Sequence, residues 1–506
     1  MRVRVCTAPF AAMALLLAAC SVGPDFKRPE AAVAKNWSGA NDPRVAQAEA
    51  ESRWWKVFGD ATLDRLVELG YRQNLSLQVA GLRIVEARAR LAVASGRQWP
   101  QTQVAFGQLS AIGLSDNIAK IGNLPRNYAA YSMGFDAAWE LDFWGKYRRG
   151  VESEAANMFA TVADWYSAIV SLTAEVARTY VGIRTLEVLL RQAEENVALQ
   201  QQALEIAQSR FRNGATSELD PTQATTLLES TRATIPQRQI ELQQAKNALA
   251  TLLGQPPGTV DALLAGDQDI PKAPPSVAVG VPADVLRRRP DVRSAELEAA
   301  AQCARIGVAK AELYPSFSLV GTVGLDASTR GTAPANPFRS GAIFYSVGPQ
   351  VNWAFLNYGR LTNAVRVEDA RFQQLVVNYR DTVLRAAREV EDALVGFLEA
   401  QRATAFEQAA VTSARRSVEL ALVAYREGAV DYQRVLDAQR SMLERENALA
   451  EATSSIATNL IALYKALGGG WEVRERDAIV TDANAREMKR RTNWGGLLSP
   501  PKHGSE

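Results

Sequence analysis

Residues 128–146 read YAAYSMGFDAAWELDFWGK, and two periodicities meet within them. Tyr131, Met133, Phe135, Ala137, Trp139 and Leu141 fall on one side of an extended chain, and Ser132, Gly134, Asp136, Ala138, Glu140 and Asp142 fall on the other, a strict period of two. After Gly145 the alternation gives way to a helical pattern that meets no proline before Pro221. A strand with one apolar face must bury that face somewhere, and this need organises the rest of the chain.

Composition narrows the choices. The chain has 506 residues, of which 47% are hydrophobic, with 57 Lys and Arg against 55 Asp and Glu. Such a balance argues against nucleic acid as a partner. The one histidine is His503, in a polar tail, so histidine-based acid–base or metal chemistry has almost no material. Adjacent carboxylates such as Glu194 with Glu195 and Glu391 with Asp392 lie at helix positions that do not face each other, and they read as solvated faces. No cofactor or metal is implied, and no enzyme activity is expected.

At the N-terminus Arg2 and Arg4 precede an apolar run over residues 11–19 and then Cys20. The run is too short to span a bilayer and reads as a signal peptide over residues 1–19. Leu17, Ala18, Ala19 and Cys20 resemble a lipobox, which implies cleavage before Cys20 and a covalent lipid on it. Ser21 at the next position implies delivery to the outer membrane. Cys303 is then the remaining thiol of the mature chain besides Cys20 and reads as a small core residue.

Residues 20–60, with Pro24, Pro29 and Pro43, read as a lipidated tether. Helical spacing predicts one helix over 61–98 through Leu63, Leu66, Leu69, Leu75, Val79, Leu82, Ala89 and Val93, stopped at Trp99 before Pro100. Strands are predicted at about 102–110 and 129–142, joined by a polar, glycine-bearing crown. Helices follow over 146–212 and 217–253, the first about 100 Å long at the helical rise and the second about 55 Å. Asp220 suits a cap before Pro221, and Pro236 is expected to bend the second helix. Residues 255–281 form a Pro-rich connector.

The plan then begins again. LDFWGK at 141–146 recurs as FLNYGR at 355–360, FRNGA from Phe211 recurs as YREGA from Tyr425, and Gly254 recurs as Gly468, all at an offset of 214 residues. Trp99-Pro100 recurs as Tyr314-Pro315 at 215. One near-constant offset across the unit is an internal repeat. The second copy, 282–468, is predicted to carry a helix, strands at about 316–325 and 343–354, and helices over 360–427 and 431–467. Residues 469–506 form a C-terminal tail, which after Trp471 is polar and reads as loosely packed. Arg287, Arg288 and Arg289 read as solvated or ion-paired surface, because no glycine-rich phosphate loop accompanies them.

The predicted fold is mainly α with a four-stranded β contribution and a two-fold repeat of helix, β-hairpin, long helix and helix. Four strands cannot close a membrane barrel, which needs about eight or more. Subunits must share one, as eight strands from a dimer or twelve from a trimer. Trp139, Trp144, Trp353 and Tyr358 fall at the strand-to-helix joins, where an interfacial aromatic belt would sit. The helices, with apolar spacing near 3.5, suit a palisade of antiparallel helices below the barrel.

These residues resemble the TolC-like outer-membrane efflux lipoproteins over nearly the whole mature chain. The matching segments are Cys20 with Gly23-Pro24-Asp25, Trp54-Trp55 through Leu63, Leu286 to Asp291 (LRRRPD), Tyr314-Pro315, Tyr425 to Gly428 (YREG) through Val435 to Gln439 (VLDAQ), and Lys465 to Trp471 (KALGGGW). The resemblance implies a homotrimer with a 12-stranded barrel and a long α-helical barrel. It also implies a passive conduit for small molecules, served by a periplasmic adaptor protein and an inner-membrane pump, in contact with outer-membrane lipids. It puts a periplasmic gate at Asp437 and Arg440, three apart on a helix, where the alternative is an ordinary surface ion pair. The family's apolar constriction maps onto Ala429 and Gln433, and the adaptor-contacting tip onto Gly214, Ala215, Gly428 and Ala429. A channel for protein secretion and a periplasmic coiled-coil scaffold are the competing functions.

Overall fold

The computed structural model describes residues 21–48, 51–117, 119, 125–266, 268–330, 336–475 and 477–498. The expected signal peptide, Cys20 and His503 lie outside them. In chain order the helices are α1 Ala61–Gln73, α2 Leu75–Gly96, α3 Lys146–Arg212, α4 Leu219–Leu252, α5 Pro282–Arg288, α6 Pro290–Ala311, α7 Arg360–Arg426, α8 Tyr432–Ala466 and α9 Asp482–Arg491. The strands are β1 Val45–Ala46, β2 Thr102–Gly113, β3 Asn127–Leu141, β4 Val277–Ala278, β5 Ser316–Ser328 and β6 Ile343–Asn352. Both long helices, α3 and α7, have 67 residues. Glycines 145, 214 and 254 and their repeat mates 359, 428 and 468 all take φ between 66° and 79°, the left-handed region that a side chain disfavours; it closes a helix at 214, 254, 428 and 468 and precedes one at 145 and 359.

The chain divides into two compact units. The first contains the described residues up to Pro29, with Val85–Thr161 and Ala295–Tyr379. Its centre is one antiparallel sheet ordered β2, β3, β5, β6, so the two hairpins join through β3 and β5. The register pairs odd residues with odd and even with even: Ala105, Phe135, Val323 and Tyr345 form one row, and Val104, Asp136, Thr322 and Ser346 the next. Hence one face carries Leu109, Met133, Phe135, Leu319, Val323, Ile343, Val347 and Val351, all exposed, while the other carries Gln108, Ser132, Asp136, Asp326, Ser346 and Gln350. Among the described residues β2 and β6 pair on one side only, so the sheet is open at both edges.

Beside the sheet, α6 packs between the first turns of α3 and α7: Arg305 Nε donates to Ser153 Oγ at 3.3 Å, and Gln302 Nε2 to Glu368 Oε2 at 2.6 Å. The segment from Ser21 is held rather than loose. Val22 N donates to the Trp144 carbonyl at 3.0 Å and Asp25 pairs with Arg149 at 2.6 Å. Gly23 lies so close to Gly307 that a Cβ on it would meet the Gly307 Cα at 2.5 Å.

The second unit contains Glu30–Ile84, Val162–Ser294 and the described residues from Arg380 onward. Trp54 is fully buried, stacked on Tyr464 with centroids 5.3 Å apart and edge-on to Trp55 at 5.9 Å. Leu63, Leu66, Ile169, Val176, Ile183, Phe397, Leu460 and Ile461 complete this core. The expected tether is packed here too. Trp37 is buried with its indole N–H on the Gly280 carbonyl at 3.1 Å, and β1 runs parallel to β4.

Further expectations need correction. The helix over 61–98 is two, because Asn74 leaves the helical region (ψ 123°) and its side chain accepts from Leu77 N at 2.8 Å, capping α2. Beyond that break Leu75, Val79 and Val93 are exposed. Arg289 is buried, not surface: it donates to the Ala466 carbonyl at 2.6 Å and pairs with Asp291 at 2.7 Å and Glu389 at 2.8 Å, since the last carbonyls of α8 need donors. Asp220 lies inside α4, whose N-cap is Glu218. The tail forms structure as well. After Trp471, itself packed on Tyr166 at 4.5 Å, residues Asp482–Arg491 form α9, and Asn484 Nδ2 donates to Gln78 Oε1 at 3.1 Å. Pro236 lies within α4, which continues through it.

Candidate functional site: the helical turns and the strand-to-helix joins

The two helical turns are built alike. After α3, Gly214 N donates to the Phe211 carbonyl at 2.9 Å and Ala215 N to the Arg210 carbonyl at 2.9 Å; after α7, Gly428 N donates to Tyr425 at 3.0 Å and Ala429 N to Ala424 at 2.8 Å. This reversed pairing of the last carbonyls is a Schellman close, which requires the left-handed glycine. It leaves Gly214, Ala215, Gly428 and Ala429 exposed at the turns.

Between the turns lies a small apolar core of Ala203, Leu204, Ala207, Ala224, Leu227, Leu228, Tyr425, Tyr432, Val435 and Leu436. A polar clasp closes it. The Tyr425 hydroxyl donates to Asp220 Oδ2 at 2.8 Å, and the Thr216 hydroxyl donates to the same oxygen. The Arg210 guanidinium sits 4.7 Å from the centre of the Tyr425 ring and donates to the carbonyls of Tyr425 and Arg426. Burial, then the Asp220 carboxylate, pushes the Tyr425 phenol well above its usual range, and burial takes Tyr432 up to about 12. The clasp joins the first turn to the second. Sequence reading missed it because Phe211 and Tyr425 are repeat mates, yet Phe211 is exposed and Tyr425 is buried.

Of the predicted gate residues, Gln433, Asp437 and Arg440 sit on an exposed stripe of α8, and Ala429 lies in the turn before it. Asp437 accepts from Gln433 Nε2 at 2.8 Å, one helical turn away. Within the chain Asp437 and Arg440, placed at the gate by the resemblance, make no ion pair with each other among the described residues. Gln433 is therefore a hydrogen-bond donor to the acidic member of the stripe. Behind it runs a buried polar seam: Asn196 Nδ2 donates to Glu446 Oε2 at 2.8 Å, Arg415 reaches Glu446 Oε1 at 2.8 Å, and the amides of Gln200 and Gln439 are buried without partners among the described residues.

Three of the four join residues make indole hydrogen bonds beside the strand ends. Trp139 Nε1 donates to the Gln98 carbonyl at 3.2 Å, and its repeat mate Trp353 to the Leu313 carbonyl at 3.1 Å. Trp144 donates to the Pro315 carbonyl at 2.8 Å and stacks on Tyr314 with centroids 4.6 Å apart. The Trp139 and Trp353 indoles thus tie the foot of a strand to the residues just after the preceding helix, Trp144 ties the end of β3 to the start of β5, and each satisfies its own N–H. Tyr358 is 97% exposed.

Residues 67–255 and 281–469 each match the outer membrane efflux protein family, so the matched segments coincide with the two repeats. The cation efflux system protein CusC of Escherichia coli O6:H1 is 30% identical over 91% of this chain and 98% of its own length. Nodulation protein T of Rhizobium leguminosarum bv. viciae is 30% identical over 91% of this chain and 93% of its own. The solved outer-membrane channel OprN superposes with a TM-score of 0.83 at 32% identity, covering 90% of this chain and all of OprN. With both repeats matched and relatives aligned along nine-tenths of its length, this protein belongs to the outer membrane efflux protein family and is an outer-membrane efflux channel.

Proposed function

We propose that three copies form a 12-stranded barrel and a long α-helical barrel, and that the assembly is a passive conduit taking small molecules from a periplasmic adaptor and an inner-membrane pump. The observation that carries this reading is the parity of the sheet. Odd positions of β3, β5 and β6, continued by Ala105, Leu109 and Ala111 of β2, form an apolar face, and the even face carries Gln108, Ser132, Asp136, Thr322, Asp326, Ser346 and Gln350 beside Val104, Phe106 and Ile112 of β2, with an unpaired edge on either side. Such a sheet satisfies its backbone in lipid only by closing with other copies, and closure turns the polar face inward. No catalytic step is required: the polar wall and the tunnel give the solute a path, and the pump supplies the energy.

In this reading the turns at Gly214, Ala215, Gly428 and Ala429 are the adaptor-facing tip. Gln433, Asp437 and Arg440, exposed on the stripe, with Gln433 bonded to Asp437 and no ion pair between Asp437 and Arg440, meet their counterparts on neighbouring copies and narrow the mouth beside Ala429. A lipid on Cys20 anchors the segment that begins at Ser21. Purified protein added to planar lipid bilayers is expected to give discrete conductance steps from an oligomer that dissociates on heating. Protein that is correctly folded yet leaves the bilayer silent would refute the conduit.

A further inference from the structure

Inside one chain the seam between the repeats is fully made. β3 pairs with β5, and at its foot Trp144 lies on Tyr314, planes 24° apart, with its indole N–H on Pro315. The repeat supplies a second set of the same parts. Tyr358 is the mate of Trp144 at 214 residues, and Trp99 and Pro100 are the mates of Tyr314 and Pro315 at 215. Within one chain these mates cannot meet: Tyr358 follows β6, Trp99 precedes β2, and those strands are the opposite edges of the sheet, about 14 Å apart at the usual strand spacing.

Both are bare. Tyr358 is 97% exposed and Trp99 68%. Their surroundings match them. Residues 139–144 are half-buried, whereas their mates 353–358 are exposed except for half-buried Asn357, and β2 is exposed along most of its length where β5 is half-buried. The same contrast holds beside the sheet: α6 is largely buried, while Val93 of α2 and Val367 and Val377 of α7 face solvent. Tyr358 is also, among the described residues, the one non-glycine with positive φ, at 50°, a conformation that persists where surroundings hold it.

We propose that β6 of one copy pairs antiparallel with β2 of the next, and that Tyr358 of the first copy stacks on Trp99 of the second, repeating between copies the Trp144–Tyr314 contact made within each. The hairpin registers relate the strands of the two repeats by 214 residues, so the β3–β5 register carries over to set Trp353 opposite Ala105 and Val351 opposite Gly107. That register keeps odd residues beside odd, and the apolar face runs on unbroken from copy to copy. The one-residue difference at Trp99 falls between Pro100 and β2. This inference rests on closure of the barrel by copies of this chain and specifies the contact that closes it.

The test is cross-linking in outer membranes with a short bismaleimide, on a chain carrying Trp99→Cys and Tyr358→Cys together. After boiling in detergent, the double variant is expected to run as two and three linked copies, and each single variant and the parent as one. Co-expressing the two single variants should give linked pairs and no larger product. A double variant that forms the heat-dissociable oligomer but stays unlinked overturns this contact and leaves the barrel standing; absence of any oligomer in the parent removes both. Should the cysteines impair assembly, Trp99→Phe with Tyr358→Trp is expected to keep the oligomer's resistance to detergent and Trp99→Ala to lower its dissociation temperature. Unchanged resistance in Trp99→Ala counts against the stack.

Discussion

The Tyr425 hydroxyl donates to Asp220 Oδ2 at 2.8 Å and so bolts the second helical turn to the first. Removing the hydroxyl in Tyr425→Phe keeps the ring in its apolar core and over Arg210, and deletes one hydrogen bond to a carboxylate, about 2 kcal/mol. Single-channel conductance of Tyr425→Phe in planar bilayers is expected to exceed that of the parent, with fold and oligomer intact. Equal conductance would show that the clasp does not restrain the mouth.

The same bond has a direction in pH. The Tyr425 phenol is raised above its ordinary value near 10 by burial and then by Asp220. A raised acid contributes its full stability below the unfolded-state value and loses it as pH climbs through the folded one. Conductance is therefore expected to rise above about pH 10, and Tyr425→Phe to flatten that rise. The parent and variant compared from neutral to alkaline pH decide it.

Asp437 and Arg440 do not pair within a copy, which leaves both for contacts between copies. Asp437→Ala with Arg440→Ala is expected to raise conductance without changing the thermal stability of the chain. If conductance is the same as the parent's, the stripe is ordinary solvated surface, for which exposed pairs are worth under about 1 kcal/mol.

Gln439 is 1% exposed and both polar atoms of its amide lack partners among the described residues. A buried amide without partners is destabilising, so Gln439→Leu is expected to stabilise the protein by about 1 kcal/mol. Urea unfolding measures it, and a shift of the midpoint to lower urea would contradict the burial.

Arg289 holds Asp291, Glu389 and the Ala466 carbonyl together. Arg289→Ala leaves these acceptors without their common donor and is expected to cost about 3 kcal/mol, the low end for a broken buried pair, because Glu389 stays in contact with water. Burial alone would raise Asp291, but the Arg289 guanidinium holds it below the usual carboxylate range. Its contribution is present above the ordinary value near 4 and is lost as pH falls through the folded one. Acid unfolding of Arg289→Ala should start at higher pH than that of the parent.

Much of this was legible because it is local. Alternation over 128–142 follows from the geometry of an extended chain, and the register of the sheet preserves it row by row. The glycines at 145, 214 and 254 and their mates announced turns, since left-handed backbone is a property of the residue itself. The matched indole bonds of Trp139 and Trp353 follow from the repeat. The break at Asn74 was hidden, because a capping asparagine and a helical one look alike until the side chain's partner is known.

By itself, then, the sequence determined the elements, the repeat and the two-faced sheet, all of which depend on bonds and periodicities along the chain. Tertiary structure alone decided which of two equivalent residues is used. Phe211 and Tyr425 occupy the same place in the same turn, yet Tyr425 lies on Asp220 under Arg210 and Phe211 faces solvent. Trp144 is covered by Tyr314 while Tyr358 is bare. Repeat mates share their local chemistry but not their neighbours, and burial, pairing and titration are properties of neighbours.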